Sequence, residues 1–273
     1  MRYGIHLPHA GEQSTPALIR RHAERAEALG LDDLWVSEHI IVPRDQFPRS
    51  PLFFDPVLSL TWAAAVTKRV RLGTSVLVLP MRHPLPLAKE LATLHNFSEG
   101  RLILGAGVGW LKPEFAALGV PFEERGRRLD EGLAMMRAVW SQDPVTFKSR
   151  YIPAVIEGMT MTPMPVSPIP LWFGGSSDAA LKRIIRIGDG WHGSGKSAAD
   201  VAPIVARLRE ARPGSDFTMS MRVQWNGRDP GVLRALVDSY AAIGVQHLLI
   251  APEDRNVDDW DSVTEGVGKL VTL

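Results

Sequence analysis

The chain contains no cysteine, which removes disulfides, thiolate nucleophiles and thiolate metal ligands from consideration and is compatible with a reducing compartment. An excess of either charge is also missing: 31 basic residues face 30 acidic ones, for a net charge of +1. Apart from Arg125, Arg127 and Arg128 the basic residues are dispersed, so there is no footprint for a nucleic acid. The longest stretch poor in charge, Ile152 to Ser177, is interrupted by Pro153, Pro163, Pro165, Pro168 and Pro170 and cannot be a spanning helix. Neither a His-x-x-x-His pair nor a carboxylate cluster accompanies the eight histidines, so no metal is expected. A Gly-x-Ser-x-Gly elbow is absent too, which sets serine hydrolase chemistry aside. Met1-Arg2 runs directly into the strand-like Tyr3-Gly4-Ile5-His6-Leu7 with no signal-peptide pattern. The expectation is a soluble cytoplasmic protein acting on a small molecule, with neither nucleic acid nor membrane as partner.

What the chain does have is a regular alternation of short apolar runs with amphipathic helical ones, the sign of β/α units on a parallel sheet. Strands are expected at Tyr3–Leu7, Leu34–Ser37, Arg71–Leu77, Leu102–Ala106, Leu171–Phe173, Gly190–His192, Thr218–Val223 and His247–Ile250. Thr15-Pro16, Asp55-Pro56, Ser177-Asp178 and Asp229-Pro230 each offer a capping oxygen at a helix start, three of them with proline in the first turn. Leu29-Gly30 and Ile243-Gly244 read as helix ends. The strands follow one another at β/α-unit spacing except between the fourth and fifth, where a helix from Glu123 to Trp140 precedes a proline-rich segment. An open doubly wound sheet competes with a closed barrel. Eight units in 273 residues favour one α/β domain over 1–273, a TIM-like (β/α)8 barrel with an insertion after the fourth helix.

In such a barrel the chemistry sits at the C-terminal strand ends. The second strand ends on Ser37-Glu38-His39, and imidazole is the side chain that gives and takes protons near neutrality. His39 is therefore the candidate acid/base and Glu38 its nearest sequence partner, although strand alternation would turn Glu38 to the opposite face. The plainer alternative is a partly buried histidine with a hydrogen-bond partner. Gly105-Ala106-Gly107-Val108-Gly109-Trp110 lacks the full dinucleotide fingerprint and reads equally well as a tight turn. Gly174-Gly175-Ser176-Ser177-Asp178 lets the backbone approach a ligand and presents donors at a helix start, as a phosphate needs; an ordinary N-cap is the simpler reading. The tryptophans suit the core, with Trp110 and Trp191 close enough to strand ends to flank a planar ligand.

Taken together, Val36-Ser37-Glu38-His39, Leu72-Gly73-Thr74-Ser75-Val76-Leu77, Gly100-Arg101-Leu102-Ile103-Leu104-Gly105-Ala106-Gly107, Glu124-Arg125 with Arg128 and Glu131, and Trp172-Phe173-Gly174-Gly175-Ser176-Ser177 resemble, in order and along the whole chain, the luciferase-like flavin and deazaflavin oxidoreductases. The resemblance implies a homodimeric TIM-like barrel with a tricyclic cofactor at its C-terminal face. Thr74-Ser75-Val76 is closest to the branch that uses coenzyme F420, with flavin mononucleotide (FMN) and a monooxygenase reaction as the alternative, and a cofactor-binding protein without turnover as a further one. It also implies a non-proline cis peptide between Ser75 and Val76 under the ring, His39 beside the reactive edge, and Gly107, Val108, Gly109, Gly174, Gly175, Ser176 and Ser177 around the ribityl chain and phosphate. Arg125 or Arg128 would reach that phosphate, helix surface being the competing role. Some members carry a second histidine where this chain has Ile40, and Ile41 to Phe54, with Pro43, Pro48 and Pro51, would cover the substrate pocket.

Overall fold

The computed structural model describes residues 1–47, 50–214 and 216–271, so Pro48 of the expected pocket cover lies outside the described residues. Eight parallel strand positions form the central sheet: β1 (Arg2–His6), β2 (Asp33–Val36), β3 (Arg71–Thr74), β5 (Leu102–Gly107), β8 (Leu171–Phe173), β9 (Gly190–Ser194), β10 (Thr218–Trp225) and β11 (His247–Pro252). Pairing of β3 with β5, through Leu72 opposite Leu102 and Gly73 opposite Ile103, closes the ring. The helices α1 (Pro16–Ala28), α2 (Pro56–Val66), α3 (Pro84–Phe97), α5 (Arg125–Val139), α6 (Asp178–Ile187), α7 (Ala198–Ala211), α8 (Pro230–Ala242) and α9 (Val257–Val271) surround it, giving a TIM-like (β/α)8 barrel. Thr15, Asp55, Ser177 and Asp229 cap α1, α2, α6 and α8 with their side chains. Among the described residues no helix is long and apolar enough to cross a membrane.

The expected third strand, Arg71 to Leu77, is divided. Its chain leaves β3 at Thr74, passes a cis peptide between Ser75 and Val76, and rejoins the sheet as the two-residue β4 (Leu77–Val78) beside Ala106 and Gly107 of β5. Thr74 Oγ1 holds the break by donating to Gly105 O at 2.8 Å and accepting from Gly105 N at 3.0 Å. Gly105 permits this approach, because a Cβ there would lie 1.7 Å from the Thr74 carbonyl oxygen. Two further elements went unread: the short α4 (Lys112–Ala117) after β5, and an antiparallel hairpin of β6 (Val145–Lys148) and β7 (Val155–Met159) between α5 and β8.

The main apolar core lies between the strands and the helices, as expected for strands buried on both faces. The barrel interior is different. Trp35, Ile103, Trp172 and Leu249 fill part of it, and glycines on the facing strands make way for the indoles; a Cβ on Gly73 would stand 2.3 Å from Trp35 Cε3. The remaining interior is polar, with Asp33, His192, Ser220 and His247 all buried.

Candidate active site

At the C-terminal strand ends a cavity of about 530 Å³ opens, within the range of small-molecule sites. His39 enters it from the β2 end, Ser75 and Val76 from the break after β3, Gly107, Val108 and Gly109 from the β5 end, and Gly174 and Gly175 from the β8 end. Residues 107–109 and 174–175, far apart in sequence, thus share one wall. Ser176 and Ser177 do not line this cavity: Ser177 is occupied as the N-cap of α6, its Oγ accepting from Ala180 N at 3.3 Å. Arg125 also sits outside, with its guanidinium 3.9 Å from the Phe122 ring centroid and an N–H donated to Phe122 O; Arg128 donates to Tyr151 O. Both use their charge on backbone carbonyls or an aromatic face near their own helix, so neither is brought to the cavity wall.

His39 does not rely on Glu38. Its Nδ1 lies 3.1 Å from Glu114 Oε2, on the α4 that the sequence did not reveal. Glu114 is 2% exposed, and its Oε1 accepts from Ile40 N at 2.6 Å and Ile41 N at 3.3 Å. One carboxylate therefore fixes both the loop after β2 and the ring that loop carries. With the Nδ1 proton given to Glu114, Nε2 keeps a lone pair. Such a pairing orients an imidazole for proton transfer at the other nitrogen. Phe47, Phe53 and Trp110 meet the His39 ring edge-on at centroid distances of 5.0, 5.0 and 5.9 Å. Trp110 does flank the cavity, whereas Trp191 is buried in the core and donates its indole N–H to Gly175 O at 2.9 Å.

Glu38 turns to a different task. Its carboxylate accepts from Val78 N at 2.6 Å and from Arg82 Nε at 2.5 Å, while the same guanidinium donates to Asp55 at 2.6 Å. Burial works against the charge of Arg82, but the two carboxylates outweigh it and raise its hold on its proton. This pair clamps the chain just after the Ser75–Val76 bond and so shapes the cavity floor. On the far wall Arg222 and Arg255 line the cavity. Burial, followed by repulsion from Arg255, pushes the Arg222 guanidinium down to about 10. A negative group placed between them would relieve that repulsion.

Burial also lowers several imidazoles around the barrel, His9 and His22 to about 4 each, with Asp261 partly offsetting the effect at His22. The unfolded chain would titrate these groups near 6.5. Between about pH 6.5 and 4 the unfolded state therefore binds protons that the folded state refuses, and stability falls as the solution is acidified. Urea midpoints measured from pH 7.5 to 4.5 should be level down to about 6.5 and then drop progressively. A midpoint that stayed constant to pH 4.5 would show that these rings are free to charge in the fold.

With this geometry in place, comparison with known proteins returns a match to the luciferase-like monooxygenase family over residues 1–246. An F420-dependent glucose-6-phosphate dehydrogenase of Amycolatopsis mediterranei is 35% identical over 189 residues, covering 67% of this chain and 54% of the relative. The chain thus spans about half the length of that relative. Among solved structures, a monooxygenase from Streptomyces bottropensis superposes with a TM-score of 0.84 at 21% identity, covering 98% of both chains. An F420-dependent secondary alcohol dehydrogenase in complex with an F420-acetone adduct gives 0.82 at 19%, covering 97% of both. At those identities the two structures speak for the fold.

Proposed function

The chain belongs to the luciferase-like monooxygenase family, and within it we propose an oxidoreductase that exchanges a hydride between deazaflavin coenzyme F420 and a small organic substrate. The observation that carries this reading is that the His39–Glu114 pair faces the same cavity that the Ser75–Val76 bond borders. A planar ring system fits there. The apolar Val76, Val78 and Val108 offer it a surface, the glycine backbones at 107, 109, 174 and 175 allow close approach, and Arg222 and Arg255 favour a negatively charged group.

When bound, the deazaflavin supplies the carbon that takes or gives the hydride. The protein's own work is the accompanying proton. His39 Nε2 takes a proton from a substrate hydroxyl on oxidation, or returns one to a carbonyl oxygen on reduction, while Glu114 holds Nδ1–H and steadies the charged ring. Phe47, Phe53 and Trp110 pack edge-on against the imidazole and help to hold its plane. The test is a direct titration of the purified protein with F420 and with FMN, each oxidised and reduced. F420 is expected to bind about tenfold or more tightly than FMN, a difference of roughly 1.4 kcal/mol. Preference for reduced FMN would transfer the chain to the oxygen-activating monooxygenase reading, and failure of both to bind would end the oxidoreductase reading.

A further inference from the structure

A continuous line of hydrogen bonds runs inside the barrel from the cavity to the opposite end of the strands. Ser75 Oγ lies 2.8 Å from His192 Nε2, His192 Nδ1 lies 2.7 Å from Ser220 Oγ, Ser220 Oγ lies 2.6 Å from His247 Nδ1, and His247 Nε2 lies 2.8 Å from Asp33 Oδ1. His192, Ser220, His247 and Asp33 are between 0% and 3% exposed, and Ser75 is 7% exposed. Trp35 stacks on the His192 ring at 5.0 Å with the planes 5° apart, and Trp172 borders both imidazoles. Ser75 and His192 also line the cavity, so one end of the line is open to a ligand. None of these contacts is needed to close the barrel, which apolar side chains would fill at lower desolvation cost.

The far end sets the direction of every bond. Burial works to raise the Asp33 carboxyl, but His247, Arg71 and the indole N–H of Trp35 together hold it well below the usual carboxylate range, so it is an obligate acceptor. A His247 ring with a single proton then carries it on Nε2 and accepts at Nδ1, which makes Ser220 the donor there and an acceptor toward His192. His192, kept neutral above all by burial, which lowers it to about 3, carries its proton on Nδ1 and accepts the Ser75 hydroxyl at Nε2. Ser75 consequently turns its oxygen lone pairs to the cavity. Arg222, which donates to the Ser75 carbonyl at 3.2 Å, faces the line at the cavity end, and Arg71 and Arg2 face it at the Asp33 end.

We infer that Ser75, His192, Ser220, His247 and Asp33 form a proton relay along the barrel axis that exchanges one proton with the ligand in the cavity and stores it on His247. In the loading direction a ligand N–H or O–H gives its proton to Ser75 Oγ as the Ser75 proton passes to His192 Nε2, the Nδ1 proton to Ser220, and the Ser220 proton to His247 Nδ1. The ligand is left one unit more negative and His247 becomes an imidazolium paired with Asp33. Electrons do not change owner, so no oxidant or reductant is consumed. Run in reverse, the same moves deliver a proton to a site that has just gained negative charge. A redox reaction whose ligand changes charge needs such compensation, and the identity of the ligand rests on the F420 reading above.

The relay is tested first without cofactor, by ¹⁵N NMR of the full-length protein with labelled histidine at pH 7.5. His192 is expected as the single Nδ1–H tautomer and His247 as the single Nε2–H tautomer. Ser220→Ala should remove the acceptor at His192 Nδ1 and leave that ring populating both tautomers, with the far-ultraviolet circular dichroism spectrum unchanged; Ser220→Thr, which keeps the hydroxyl, should restore the single form. A wild-type His192 protonated on Nε2, or a tautomer indifferent to Ser220→Ala, overturns the relay. F420 is then added in each redox state, and His247 should show a second N–H in one state only, a response lost in Ser220→Ala. Bound F420 with His247 singly protonated in both states overturns the storage step. Failure of F420 to bind counts against the cofactor reading alone, and the tautomers of the free protein then decide the relay.

Discussion

Replacing His39 with alanine is expected to leave cofactor affinity within a few-fold and to lower turnover by about 10²–10⁴, the usual share of general acid/base catalysis. The geometry makes the two effects separable. His39 meets Glu114 and three aromatic edges on the protein side, so its loss removes a proton carrier without removing the Ser75–Val76 floor or the glycine walls. Glu114→Gln keeps the shape but allows its amide to face Nδ1 as a donor, which would move the histidine proton to the wrong nitrogen; turnover should fall in the same direction and by less. Steady-state rates with a substrate confirmed by product analysis, read beside a binding titration, decide the matter. Full activity in His39→Ala across neutral pH would refute the role, and loss of binding with no separate loss of turnover would reduce His39 to a ligand contact.

The other large effect belongs to stability. Glu38→Ala removes the fully buried partner of Arg82 and also leaves Val78 N without its acceptor. Breaking one side of a buried pair costs about 3–5 kcal/mol, because the remaining charge stays desolvated. Asp55, at 2.6 Å, still holds one arm of Arg82 and keeps the expected loss toward the lower end. For a chain of this size that corresponds to a fall in Tm of about 2–4 °C per kcal/mol. Because the clamp sits next to the cavity floor, ligand affinity should weaken as well. Thermal unfolding of the variant within about 0.5 kcal/mol of the wild type, the range of an ordinary surface change, would show that the clamp carries no net weight.

Local chemistry explains what could be read in advance. The caps at Thr15, Asp55, Ser177 and Asp229 are short-range events, and each occurs where an oxygen-bearing side chain starts a helix. The eight strand positions follow from continuous apolar runs, His39 follows from its place at the end of the second of them, and the cis bond at Ser75–Val76 is what the family resemblance implies. Glu114 was hidden because its partner lies 75 positions earlier and its helix has only six residues. The β6–β7 hairpin is masked by the prolines and glycine around it, and a one-residue irregularity near Val145 and Phe147 blurs its alternation. Polar residues inside apolar strand runs were the available signal for the axial line: Asp33 beside Leu34, His192 after Trp191, Ser220 between Met219 and Met221, and His247 before Leu248 all face away from the helices. No spacing along the chain connects them; strand register does, setting Ser220 opposite both His192 and His247.

Ring closure governs how the protein avoids its own kind. A sheet joined end to end by β3 and β5 leaves no row of unpaired amides along the ring, so a second chain finds no strand to extend. The β6–β7 hairpin has no such protection. Its β7 shows Val155 at 86% and Met159 at 56% exposure, apolar side chains of the sort that invite strand addition. Between them stand the charge of Glu157 and the left-handed backbone of Gly158, whose φ of 59° interrupts an extended template. The segment that lies outside the barrel is thus guarded against strand addition by Glu157 and Gly158 rather than by topology.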